Sequence, residues 1–113
     1  MPVRIGFADY RLQILRQELE RILEELPGYG ALKVILVGDM LAGEVKPSSI
    51  LELVIVQDTS ESYLDRIDFF LSHLRPVVGV EICVYTPAEY LALESTNLVM
   101  FSKIKTEGIL YEA

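Results

Sequence analysis

Val37-Gly38-Asp39-Met40-Leu41-Ala42-Gly43-Glu44-Val45-Lys46-Pro47-Ser48-Ser49-Ile50-Leu51-Glu52-Leu53-Val54-Ile55-Val56 decides how the rest of the chain is read. Leu32 to Val37 is apolar except for Lys33, which suits a central strand covered on both faces. Gly38 closes that run, and the segment after it fits one or two helical turns with Asp39 placed as the cap. Lys46-Pro47-Ser48-Ser49 reads as loop. Ile50 to Val56 is a second strand, with Ile50, Glu52, Val54 and Val56 on one face and Leu51, Leu53 and Ile55 on the other. A carboxylate on a strand beside a glycine turn is where a site would be sought, and Glu52 is the one this strand offers.

Upstream, residues 8 to 26 form an amphipathic helix. Leu12, Leu15, Leu19, Ile22 and Leu26 recur at spacings of three and four, with Ile14 and Leu23 widening the stripe. Asp9 is the expected N-cap and Pro27-Gly28 the stop. Downstream, Asp58-Thr59-Ser60-Glu61 offers caps for a helix to Leu74 whose stripe is Leu64, Ile67, Phe70, Leu71 and Leu74. Val80 to Tyr85 is a third strand, with Val80, Ile82 and Val84 opposed to Glu81, Cys83 and Tyr85. Thr86-Pro87-Ala88-Glu89 starts a helix over residues 87 to 94: a threonine cap, proline at the first helical position, and glutamate three residues after the cap. Ser95-Thr96-Asn97 breaks it, and a last helix runs from Leu98 to Thr106. Gly108 ends that helix and leaves Ile109-Leu110-Tyr111 as a short strand or extended tail. The order predicts one domain over residues 1 to 113, an α/β (α+β) fold with a mixed sheet backed by helices, its first two strands antiparallel.

Composition narrows the function classes. A chain of 113 residues supports one core, and its 51% apolar content argues for a compact fold. Seventeen acids against ten bases give a net charge of -7, which argues against capture of nucleic acid or an anionic membrane. The apolar runs are of strand length, too short for a membrane span. Met1 to Gly6 is not read as a signal peptide, because no apolar region follows Arg4. Cys83 is the one cysteine and is read as a small core residue, so a cytoplasmic location is expected. His73, the one histidine, has no metal or triad partner at useful spacing.

Gly38 closing a strand, Gly43, Pro47 and Ser49, then an acid-bearing strand, together resemble the signature of the DNA polymerase β-like nucleotidyltransferases, in particular the minimal single-domain group. Tyr85-Thr86-Pro87-Ala88-Glu89-Tyr90 and Lys105-Thr106-Glu107-Gly108-Ile109-Leu110-Tyr111-Glu112 resemble that group's C-terminal half. The family's pattern is a glycine-serine pair, a loop, a strand with two acids one residue apart, and a third acid on a later strand. Two divalent metals about 3.5–4 Å apart explain it, since they hold a triphosphate and activate the attacking hydroxyl. Acids two apart on a strand share one face, about 6.6–7 Å between Cα atoms, and converge on the metals.

The resemblance implies nucleotide-binding positions at Gly38, Asp39 and Ser49, and catalytic, metal-holding positions at Glu52 and Glu81. The chain departs from the pattern twice. Ile50 stands where the first acid belongs and cannot ligate a metal. Asp39 stands where serine belongs and would add repulsion toward a triphosphate on the order of a few kcal/mol. Glu52 and Glu81 are then either a vestigial site or plain surface acids, and Asp39 either a relocated ligand or a helix cap. Lys33 and Lys46 could serve a phosphate or be surface lysines.

Two functions follow as expectations. One is a degenerate, catalytically impaired domain retained for binding, with a small helical HEPN-type partner of a toxin–antitoxin-like system or with itself. The other is an active Mg-dependent transferase moving a nucleotide from an NTP to a protein or small-molecule hydroxyl.

Overall fold

The computed structural model describes residues 6 to 113, so most of the Met1 to Gly6 stretch read above lies outside the described residues. Helix α1 (Phe7–Glu25) buries Leu15, Leu19 and Ile22. Its N-cap is Gly6, with no side-chain cap, and the expected cap Asp9 lies within the first turn. There its carboxylate still opposes the positive end of the helix. A 3-10 turn (Leu26–Tyr29) closes through Gly30 in the left-handed region, and β1 (Ala31–Val37) begins at once. The short α2 (Asp39–Ala42) ends at left-handed Gly43. Strand β2 (Leu51–Gln57), α3 (Tyr63–Leu74) and β3 (Val80–Tyr85) follow within a residue or two of the expected bounds.

Thr86 caps α4 (Pro87–Leu91) with the reciprocal threonine-glutamate bonds that the sequence anticipated. The C-terminal half is more broken than expected. Ser95 and Thr96 belong to a separate turn, α5 (Leu93–Thr96). There both hydroxyls donate to the carbonyl of Ala92, which holds that turn together. Asn97 caps α6 (Leu98–Lys103), which stops three residues before Thr106. Strand β4 (Ile109–Glu112) completes the sheet, so the tail pairs rather than trails.

The sheet order is β3-β2-β1-β4. Strands β1 and β2 are antiparallel, as expected from the loop between them, and β4 is antiparallel to β1. Strands β2 and β3 are parallel, joined through α3. The main core lies between one sheet face and helices α1 and α3, and it includes Leu15, Ile22, Val34, Leu53, Phe70 and Val84. The opposite face carries Ile35, Val37 and Val54, with Tyr90 of α4 and Met100 of α6 packed against them. Both faces of β1 are thus covered, and the second face holds the site.

Candidate functional site

Gly38 turns the chain at the end of β1 with φ 82° and ψ -154°, a region essentially restricted to glycine. The next residues form a closed clasp. The Ser49 hydroxyl donates to Oδ2 of Asp39 at 2.7 Å, and Oγ of Ser49 accepts the Lys46 main-chain N–H at 2.8 Å. Arg11 on α1 donates to the Ser49 carbonyl at 2.7 Å. Asp39 therefore does not cap α2, contrary to the sequence expectation, because its carboxylate is engaged ten residues downstream. Ser49 is only 4% exposed, and its hydroxyl proton is already committed.

The two acids do come together. Glu52 and Glu81 are direct partners across the parallel β2–β3 pair, on the face away from the main core. Neighbouring strands lie about 4.8 Å apart, so two like charges face each other there. Glu52 is half-buried and leans over Gly38, where a Cβ would overlap its Oε2. Ile50 sits just before β2 with its Cγ2 against Gly79, 2.6 Å from where a Cβ on that residue would be. Ile50, which the resemblance sets at the first acid position, is thus a hydrocarbon packed on backbone.

Glu52 and Glu81 line a cleft of about 20 Å³ with Val37, Cys83, Met100 and Lys103. A larger cavity of about 430 Å³ lies beside it, bounded by Gly38, Leu41, Ala42, Ser102, Lys103, Lys105 and Glu107. Lys103 borders both. Sequence reading did not single out Lys103 or Lys105. The available signal was helical spacing: Lys103 follows Met100, which packs on the sheet, by three residues and so lies on the neighbouring edge of that side of α6.

The family resemblance implies a pair of divalent cations, and the side chains present do not fit them. Ile50 offers no ligand, and Asp39 is held by Ser49. Among the described residues no three His, Cys, Asp or Glu side chains converge as a metal set. The cleft has room for about one water, whereas Mg²⁺ needs near-octahedral oxygen ligation and retains several waters of its own.

The other candidates have structural employment. Lys33 pairs with Glu112 at 3.0 Å and lies 5.0 Å from the Tyr90 ring centre, and the hydrogen bond to that carboxylate holds its ammonium above the usual lysine range. Lys46 is exposed, on a loop that is closed by Ser49. His73 is exposed at the end of α3, its Nδ1 2.7 Å from the Phe69 carbonyl and its ring against Tyr29 and Phe69. Cys83 is half-buried on the second face of the sheet.

No protein-family model matches the chain, and no curated protein does. Among solved structures, a provisionally assigned nucleotidyltransferase from Sulfolobus solfataricus is similar, with a TM-score of 0.60 and 17% identity. The alignment covers 77% of this chain and 80% of that one. At that identity the likeness concerns the backbone arrangement, and it agrees with the strand order and helix placement described above. The chain has a nucleotidyltransferase-like fold.

Proposed function

We propose that this chain is a nucleotidyltransferase-fold domain that has lost two-metal chemistry and serves as a binding module. One observation carries the reading: Glu52 and Glu81 are paired across β2 and β3, while Ile50, which the resemblance sets at the first acid position, is a hydrocarbon packed against Gly79. Removing a shared ligand from a two-metal centre removes the charge that would polarise phosphorus and activate the nucleophile. The Asp39–Ser49 clasp supports the same conclusion, because both side chains at the phosphate turn are bonded to each other rather than open to a ligand. A binding role is supported by apolar surface on the C-terminal helices, where Leu91 is 83% exposed and Val99 70%. The partner class that the family resemblance implies, a small helical HEPN-type protein, is the one this reading adopts.

Calorimetry with Mg-ATP and with Mn-ATP is expected to give a Kd weaker than about 1 mM, corresponding to less than about 4 kcal/mol of binding. With α-labelled ATP, no transfer of AMP to a co-expressed helical partner is expected. Metal-dependent labelling of that partner, lost in Glu52→Gln, would overturn the proposal and favour an active transferase.

A further inference from the structure

We propose that the cavity between the start of α3 and the junction of α4 with α5 binds a small organic ammonium ion, held by the rings of Tyr63 and Tyr85 and the carboxylate of Glu89. It is a second site, separate from the Glu52–Glu81 cleft. Glu81, Cys83 and Tyr85 alternate along one face of β3, which puts Tyr85 about 13 Å along the strand from Glu81.

The cavity holds about 270 Å³, near the lower end of the range for small-molecule sites. Tyr63, Tyr85 and Glu89 line it, and buried Leu93 supplies apolar wall. The two rings lie 6.2 Å apart, centre to centre, and are inclined by 43°. A cation about 4 Å out from the midpoint between them is about 5 Å from both centres, inside the roughly 6 Å reach of cation–π attraction. Tyr63 is the first residue of α3, set by the Ser62 cap, and Tyr85 is the last of β3. The ends of two regular elements therefore place the pair.

The carboxylate is fixed in advance. Oε1 of Glu89 accepts from Arg66 Nη1 at 2.6 Å and from the Thr86 main-chain N–H at 2.9 Å. Arg66 is itself buried and donates to the carbonyls of Glu61 and Val84. Both bonds to Glu89 fall on one oxygen, so Oε2 has no hydrogen bond among the described residues, on a side chain that is 48% exposed. Arg66 offsets much of the acid's charge. The attraction accordingly rests on the two rings, with the carboxylate orienting the head group.

Chemistry narrows the occupant. A net charge of -7 draws cations and repels anions. A divalent metal needs several oxygen ligands, and among the described residues no three His, Cys, Asp or Glu side chains converge to supply them. An alkylated ammonium needs no such set, because its charge is spread over methyl groups that pack on aromatic rings and apolar wall.

The test titrates tetramethylammonium chloride into the full chain at constant ionic strength, made up with sodium chloride, and reads the amide and ring signals of Tyr63 and Tyr85 and the amide of Thr96 by NMR. Saturable shifts at these residues are expected at millimolar concentrations. Tyr63→Leu and Tyr85→Leu are each expected to weaken binding about fivefold, whereas Tyr63→Phe and Tyr85→Phe, which keep the ring, are expected to leave it within about twofold. Choline is expected to bind about fivefold more tightly than dimethylbutanol, its uncharged carbon isostere. Equal binding of those two would overturn the proposal in favour of a plain apolar pocket, as would leucine variants that bind like the parent. Absence of saturable shifts at the three residues would overturn it outright. Should the leucine variants fail to fold, Ala92→Leu, which fills the cavity from the end of α4, is expected to weaken binding by the same factor, and undiminished binding there would refute the site.

Discussion

Gly38→Ala is expected to lower folding stability by about 3–4 kcal/mol, a large share of the roughly 5–15 kcal/mol available to a small domain. Two costs combine. The backbone at φ 82° and ψ -154° is one that residues with a Cβ avoid. The added methyl would also overlap Oε2 of Glu52, which leans on the Gly38 backbone. The two are separable in a double-mutant cycle. In a Glu52→Ala background the overlap disappears and Gly38→Ala is expected to cost only the strain, about 1–3 kcal/mol. Urea denaturation checks both, with a lower midpoint at unchanged slope. The same glycine ends β1, starts α2 and receives the Glu52 side chain, so one substitution perturbs both the fold and the candidate site.

Glu18→Ala is expected to cost about 1–3 kcal/mol, since it leaves the Val77 N–H and the Arg21 guanidinium without their acceptor. Glu18 is 4% exposed on α1 and accepts from Arg21 Nε at 2.6 Å and Nη2 at 3.1 Å. It also accepts a short bond from the Val77 main-chain N–H in the α3–β3 connection. Arg21 in turn donates to the Leu74 carbonyl at 2.9 Å. Glu18 thereby ties the first helix to the turn that feeds β3, the strand bearing Glu81. The hydrogen bond from Arg21 is the main cause holding this carboxyl below its usual range; the Val77 N–H adds to it, and burial opposes both.

A carboxyl whose folded pKa is depressed stabilises the fold above its unfolded pKa, about 4.3, and that contribution is lost as pH falls through the lower folded value. The urea midpoint of the parent chain is therefore expected to drop as the solution is acidified below about pH 5. Glu18→Gln is expected to flatten that drop, because it keeps an acceptor for Val77 but cannot titrate. An unchanged acid dependence in the glutamine variant would show that Glu18 is not its source.

Much of the architecture was legible because it is written in local periodicity. The stripe of α1 and the apolar run of β1 predicted their own burial. The alternation in β2 and β3 set Glu52 and Glu81 each opposite the apolar residues of its own strand, although only the β2–β3 register shows that the two acids are neighbours. The threonine-proline-glutamate start of α4 specified its cap residue by residue. Features fixed by contacts distant in sequence were not readable. The proximity of Ser49 pulled Asp39 away from its local role as a cap, and nothing within four residues of Asp39 announces that bond. Arg66 has no local signal for burial on a polar side of its helix, yet it is 8% exposed, 2.6 Å from Glu89, and bonded to the Val84 carbonyl. That Lys103 borders the cleft of Glu52 and Glu81 follows only from where α6 lies on the sheet. Ile50 and Asp39 could be read in the sequence as departures from the family pattern, but the packing of Ile50 on Gly79 and the Asp39–Ser49 bond had to be seen in space.

The central claim is that the Glu52–Glu81 cleft no longer holds catalytic metal. Anomalous diffraction from crystals grown with Mn²⁺ and a non-hydrolysable ATP analogue tests it most directly. The account predicts no anomalous peak in coordination range of Glu52 or Glu81. Two peaks about 3.5–4 Å apart, ligated by those carboxylates and a triphosphate, would contradict it.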